Sequence, residues 1–517
     1  MSFPRWNAPI SDVLPSLGMA IGRAESSLRK DDIEMTTMSK GLRATIALVI
    51  GGVAILALPS WVKAEEAATA AATAAPATPE ISGADTAFMM VSAALVMLMT
   101  PGLGLFYGGM VRRKNVLATF QQSFILLGVI ALQWVLFGYS LAFGPNKLNG
   151  LIGGLEWAGL RGVGFDPNPD YAATIPHQLF MVYQLMFAVI TPALISGGFA
   201  ERMKFKAYLA FMLLWATLVY DPVAHWVWGA GGWIKGLGAL DFAGGLVVHV
   251  ISGVAALCCV LVMGKRKGLG SEEMHPHNLT MTALGTALLW FGWFGFNAGS
   301  ALAANRSAVA AFVNTNTATA AAVVSWSLIE YLHKGKATVL GACSGAVAGL
   351  VAVTPAAGFI VPMGALALGL LVSAACYSAI LLKGKLGYDD SLDVFGVHGV
   401  GGMFGALAVG VLAVEGISGN PAGLLGGNPN LLVAQAISVL AAFSYSFTAT
   451  FVLLKLVDAV IGLRVTADEE DIGLDLTQHG ERGYIMGAGE LLGGLPQHEP
   501  TTAMTALPRT ADHPIGV

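Results

Sequence analysis

Two histidines lie deep in apolar, glycine-rich stretches of this chain, His249 in LDFAGGLVVHVISGVAAL and His398 in DVFGVHGVGGMFGALAVG. Each has an aspartate close upstream, Asp241 and Asp393. A neutral imidazole carries one donor and one acceptor, so two rings set edge to edge can form a hydrogen-bonded line through an apolar lumen. Such a line can pass a small polar neutral molecule or relay a proton. The plainer alternative is that each ring closes a hydrogen bond between packed helices. For the aspartates the choices are helix capping, in which a carboxylate accepts backbone N–H groups, and, for Asp241, an added pull on cations at an entrance. Capping is the preferred reading of Asp393.

Aromatic residues crowd the same part of the chain: Tyr183, Phe187, Trp226, Trp228, Trp293, Phe294 and Phe296. Belts of Trp and Tyr are common where helices meet a membrane surface. Aromatic faces can also hold a small cation without the full desolvation cost of an ion pair. Ser300, four residues after Phe296 on one helical face, would add a hydroxyl acceptor. The four cysteines, Cys258, Cys259, Cys343 and Cys376, show no metal-ligand spacing and read as packing residues. GACSGA lacks the G-x-S-x-G elbow of a nucleophilic serine. No enzymatic activity, metal, cofactor or nucleic-acid partner is expected.

The elements that must position these groups are membrane helices. Of the 517 residues, 55% are hydrophobic and 12% charged, against about 25% charged in a soluble domain. Apolar runs of about 20 residues recur, the length that crosses a hydrocarbon core of about 30 Å, and the alternating strands of a barrel are absent. The pattern predicts an all-α integral membrane protein with eleven transmembrane helices. They fall near 86–111, 116–143, 178–200, 207–228, 241–263, 279–299, 308–331, 337–354, 358–382, 395–414 and 431–457. Small residues at i, i+4 spacing (Gly104/Gly108, Gly295/Gly299, Gly341/Gly345/Gly349) predict close helix crossings.

Loops after the odd-numbered spans carry Arg112, Arg113, Lys114, Arg202, Lys204, Lys206, Lys265, Arg266, Lys267, Lys334, Lys336, Lys383 and Lys385. Loops after the even-numbered spans carry only Lys147, Arg161, Lys235 and Arg306. The positive-inside rule puts the first set and the C-terminus in the cytoplasm and the mature N-terminus outside the cell (inner or plasma) membrane. Upstream, residues 38–64 have a basic start, a short apolar run and small residues before Ala64, the pattern of a secretory signal peptide, with an uncleaved extra helix as the alternative. Residues 1–37 read as an extension outside the translated protein if Met38 is the start, and residues 65–82 as a low-complexity leader. The transmembrane domain then covers 83–460 and a cytoplasmic tail 461–517, whose last part from Ile485 has little periodicity.

The Asp/His set of span five recurs in span ten. Five is odd, so five-helix repeats must have opposite topologies, the inverted-repeat arrangement with a shared site near mid-membrane.

Eight stretches in order, PGLGLFYGGMVRRKNVL, FAERMKF, AHWVWG, GALDFAGGLVVH, PHNL, GWFGFNAGSA, LGACSGAVAGLVAVTPAAG and DVFGVHGVGG, closely resemble the ammonium transporter (Amt/Mep/Rh) family, bacterial Amt type, over about residues 84–484. The resemblance implies eleven helices with a pseudo-twofold between spans 1–5 and 6–10, and a homotrimer with one pore per subunit. It assigns Phe187, Trp228 and Ser300 to an outer ammonium-recruitment site, Phe187 and Phe296 to a gate, Trp293 to the pore below it, His249 and His398 to the twin pore histidines, and Asp241 to support of recruitment. Tyr183 falls where some relatives carry phenylalanine. The implied function is capture of NH4+ at the aromatic cage, deprotonation, and passage of NH3 past the histidines with a proton relay. An apolar pore rejects K+, which cannot shed its charge. Methylammonium is a second substrate on this reading, and the tail GLRVTADEEDIGLDLTQHGERGY resembles the segment that meets PII-type regulatory proteins. A Rh-type gas channel and an ammonium sensor signalling through its tail are the alternatives.

Overall fold

The computed structural model describes residues 80–484. The expected extension, signal segment and most of the leader lie outside the described residues, as does the tail beyond Tyr484.

Among the described residues, ten helices are long and apolar enough to span a membrane: α1 (Gly83–Met110), α2 (Arg113–Phe143), α3 (His177–Ile195), α4 (Phe205–Gly236), α5 (Gly245–Met263), α6 (Leu279–Ala301), α7 (Arg306–Lys334), α9 (Pro362–Leu386), α10 (Phe395–Leu412) and α11 (Pro429–Val460). The eighth, α8 (Val339–Val353), has 15 residues and completes the eleven. It can be short because it is packed among other helices, its residues from Gly345 to Val353 all buried. Among the described residues one sheet forms, a two-stranded hairpin of Asn146–Lys147 with Ile152–Gly153.

The outer belt is aliphatic. Val91, Leu132, Leu136, Val309, Val324, Leu440 and Val452 are all exposed, as lipid-facing positions should be, while backbone polar groups are satisfied inside each helix. Close crossings follow the glycines. A methyl group on Gly285 would lie 2.3 Å from Phe106 N, and one on Gly292 2.3 Å from Met99 Cγ, so α6 rests directly on α1. Gly345 and Gly349 do the same for α8 on α7, and Gly369 for α9 on α7.

Two predicted boundaries move for physical reasons. The third span ends at Ile195 rather than 200, where Gly197 and Gly198 are pressed against Tyr107 and Ala256 and the chain turns. The fifth begins at Gly245 rather than 241, because Asp241 to Gly244 form a turn that closes on the helix end.

The loops rich in Lys and Arg gather on one face, called here the basic face, where they meet the tail. Arg112 bonds Glu201 at 2.8 Å, and Arg266 bonds Asp389 at 2.9 Å. Burial alone would raise the Asp389 carboxyl, but hydrogen bonds and charge from Arg266, helped by Arg202, hold it below the usual carboxylate range. The tail adds α12 (Ala467–Ile472), opened by a Thr466/Glu469 capping box, and α13 (Leu474–His479). Asp475 accepts from Ala118 N at 2.8 Å, Asn115 from Leu474 N at 2.8 Å, and Glu470 from Lys267 N at 2.6 Å. Val465 N also donates to the Arg202 carbonyl at 3.1 Å, so the tail ties the start of α2 to the third and fifth inter-helix connections.

Candidate functional site

His249 and His398 each sit in a π-helical turn, Gly245–Val250 at the start of α5 and Phe395–Gly399 at the start of α10. Such wide turns are rare and concentrate at functional sites. The two rings meet: Nδ1 of one lies 3.2 Å from Nδ1 of the other, with ring centroids 5.3 Å apart. Both are buried. A single hydrogen can occupy that contact, because one nitrogen must donate and the other accept.

Glycines placed four residues after each histidine make the approach possible. A methyl group on Gly402 would lie 2.9 Å from His249 Cβ, and one on Gly253 2.2 Å from Gly399 N. Each helix thus leaves room for the histidine turn of the other, a reciprocity that matches the five-helix repeat expected from the sequence.

Both histidine turns are capped by a carboxylate eight residues upstream. Asp241 accepts from the N–H groups of Gly244, Gly245, Leu246 and Val247 at 2.8, 2.6, 2.7 and 3.3 Å. Gly244, at φ 113°, supplies the left-handed step that turns these amides inward. At the other end the cap is Asp390, which accepts from Val394 and Phe395 at 3.0 and 2.8 Å. This corrects the expectation for Asp393. Its backbone is left-handed at φ 60°, its carboxylate pairs with Lys383 at 2.5 Å, and it reaches no amide of the turn. Burial first, then the like charge of Asp393, push the Asp390 carboxyl up to about 6 against the pull of Lys383 and the two amides. Asp241 is therefore a cap first, the role the sequence also allowed it. Its carboxylate is buried and already holds four amides, and its link to the entrance runs through its carbonyl, which accepts from Trp228 Nε1 at 3.0 Å.

The aromatic residues divide into those at the site and those elsewhere. Phe187 and Phe296 have ring centroids 4.3 Å apart, and Trp228 stands edge-on to Phe187 at 5.9 Å. Phe187, Trp228 and Ser300 line one cavity of about 160 Å³ together with Gln184, Tyr171, Asp170 and Lys235. Beyond the paired phenylalanines, Phe296, Trp293, His249 and His398 line a second, almost wholly apolar space whose free volume, about 10 Å³, suits one water-sized molecule. Trp293 stacks on His249 at 5.4 Å and 19° and is fixed by its Nε1 bond to Thr354 Oγ1 at 2.8 Å. A third cavity, about 220 Å³, opens past His398 to the basic face and is lined by Arg266, Ser391 and Asp393. Trp226 and Phe294 are elsewhere, bonded to the Leu151 carbonyl and stacked on Phe312.

Tyr183 is buried under the first cavity rather than in its wall. Its hydroxyl donates to the carbonyls of Phe296 (2.8 Å) and Gly295 (3.0 Å) and lies 3.2 Å from Ser300 Oγ, while its ring packs on Phe187 at 5.0 Å. It fixes both phenylalanines and Ser300 from behind. Sequence reasoning missed Asp390, Thr354 and the glycines Gly253 and Gly402. The spacing of eight between Asp241 and His249 was the available signal for Asp390, since 390 to 398 repeats it. Among the described residues no cluster of His, Cys, Asp and Glu could hold a metal.

Eleven helices enclosing three cavities, the first divided from the second by the Phe187 and Phe296 rings and the second sharing His398 with the third, define a polytopic α-helical membrane protein. The chain matches the model of the Ammonium Transporter Family over residues 87–484. It is 56% identical over 403 residues to an ammonium transporter of Bacillus subtilis (strain 168), covering 77% of this chain and 98% of that one. Its fold is similar to the crystal structure of Saccharomyces cerevisiae Mep2, with a TM-score of 0.71 and 38% identity over 75% of this chain and 88% of that one. It is also similar to a solved sensor Amt protein, with a TM-score of 0.71 and 30% identity over 77% and 98% of the two chains. The chain belongs to the ammonium transporter family.

Proposed function

We propose that the protein recruits NH4+ in the cavity of Phe187, Trp228 and Ser300, strips a proton near the Phe187/Phe296 closure, and conducts NH3 past His249 and His398, with the proton relayed along the same pair. The carrying observation is the 3.2 Å imidazole contact directly behind two phenylalanine rings that separate it from the aromatic cavity. A cation gains cation–π attraction and a hydroxyl acceptor in the first cavity. In the second it would lose its hydration among apolar walls, a cost no ion of fixed charge can avoid. Ammonium alone among similar-sized monovalent cations can lose its charge and proceed. Methylammonium, which can also lose a proton, is a second substrate.

On this reading the basic face is cytoplasmic in the cell membrane, the mature N-terminus lies outside, and the subunits form a homotrimer with one pore each. The docked tail and its face are the proposed site for a PII-type regulatory protein. The test is ammonium-evoked current and methylammonium uptake in vesicles of purified protein. Current that saturates with ammonium and excludes K+ supports the reading. Electrically silent, non-saturating flux would favour a Rh-type gas channel. The likeness to a sensor Amt protein supports a second reading, signalling through the tail. A binding response to ammonium without flux would favour it.

A further inference from the structure

Four basic residues lie in loops or at helix ends opposite the basic face, and three have work elsewhere. Lys147 pairs with Glu156 at 2.6 Å, Arg161 bonds carbonyls of its own turn, and Arg306 bonds the Gly416 carbonyl at 3.1 Å. The fourth, Lys235, lines the Phe187/Trp228/Ser300 cavity, where its Nζ donates to the Trp228 carbonyl at 3.3 Å. The other charged residue lining that cavity is Asp170, whose carboxylate has no ion-pair partner within 4.0 Å among the described residues. Both side chains are exposed.

We propose that Lys235 and Asp170 are specificity-determining residues that set, with opposite signs, how strongly the cavity draws ammonium. The inference rests on the reading of this cavity as the recruitment site. The Lys235 side chain ends in the same charged group as the cargo, anchored on the backbone of the cage tryptophan. Each arriving NH4+ therefore meets a like charge that the aromatic cage alone would not present, while Asp170 offsets it. In a wet cavity a unit charge several ångströms away changes affinity by about threefold. The pair is exposed, so salt must weaken the effect.

The experiment is the half-saturating ammonium concentration for transport current in vesicles, at low ionic strength and at about 0.5 M salt, where the Debye length is about 4 Å. Lys235→Gln should lower it about threefold at low salt and Asp170→Asn should raise it about as much. Both shifts should collapse at high salt, and Lys235→Arg, which keeps the charge, should shift far less than Lys235→Gln. Transport by Lys235→Gln with the parent's half-saturation at low salt overturns the proposal. So does a shift that survives high salt or appears equally in Lys235→Arg, since either marks a packing role. If no variant and not the parent shows saturable ammonium current, the recruitment reading itself has failed.

Discussion

At the α5 end, Asp241 holds four amides with both oxygens, and His249 lies among Trp293 and Phe296 with its Nε2 unpartnered among the described residues. At the α10 end, Asp390 holds two amides beside Lys383 and Asp393, and His398 opens on a cavity lined by Asp393 and Arg266. The backbone device is the same: a carboxylate eight residues before a histidine in a π-helical turn, with a glycine four residues after. The surroundings are opposite, aromatic at one end and ionic at the other. Aromatic walls suit selecting a weakly held cation. On the proposed reading, the wider, charged cavity suits a molecule that must regain water and a proton. Repetition of the backbone fixes where the histidines stand, and the unlike side chains around them give the line a direction.

The comparison breaks most visibly if the histidines are not one unit. His249→Ala and His398→Ala together should change ammonium flux, or its discrimination against K+, by about tenfold or more, and each single change should do nearly as much, as residues acting jointly do. Elution in detergent like the parent's, alongside untouched flux and selectivity, would end the pore assignment.

The α10 cap, whose carboxyl burial and Asp393 push up, predicts a pH dependence of its own. With the folded Asp390 carboxyl at about 6 against an ordinary aspartate value of 3.8, the folded protein binds more protons than the unfolded chain between those values. This group's stabilisation is therefore fully present below about pH 4 and is lost as pH rises through 6, at most about 3 kcal/mol. Thermal unfolding of Asp390→Asn in detergent should lack that component. An unchanged pH slope relative to the parent would remove the assignment of that component to Asp390.

Reciprocal packing can be sharpened with Gly253→Ala. Its methyl group meets backbone at 2.2 Å, whereas that of Gly402→Ala meets a side-chain atom at 2.9 Å. The first should cost about 1–3 kcal/mol of stability and more flux than the second, and equal losses in both assays would contradict the geometry. Smallest is Trp228→Leu at the aromatic end. Loss of about 0.5–2 kcal/mol of cation–π attraction should raise the half-saturating concentration about twofold or more. Unchanged concentration dependence would leave the cage without a role for that ring.

The eleven helices were readable because a bilayer dictates about 20 apolar residues per crossing, and α8 departs from that length only because protein rather than lipid surrounds it. His249, His398, Phe187, Trp228, Ser300, Phe296 and Trp293 were readable by type and motif. Asp390 was not chosen because Asp393 is nearer to His398, and only the spacing of the other repeat separates a cap from a neighbour. The role of Tyr183 depends on where a helix more than one hundred residues away leaves its carbonyls, which no local pattern encodes. Gly253 and Gly402 look like any of the 65 glycines until the helices cross.

The contact between the two Nδ1 atoms gives the pair a polarity. With both rings neutral, the ring that donates through Nδ1–H must present a bare, accepting Nε2, and its partner must present Nε2–H. The line therefore always has one accepting end and one donating end, and it has two such arrangements of mirror sense. Converting one into the other shifts three hydrogens in concert: one taken up at the accepting end, one passed between the rings, one released at the other end. A proton that crosses by this route leaves the pair reversed, and a second carrier cannot follow until the rings have been reset.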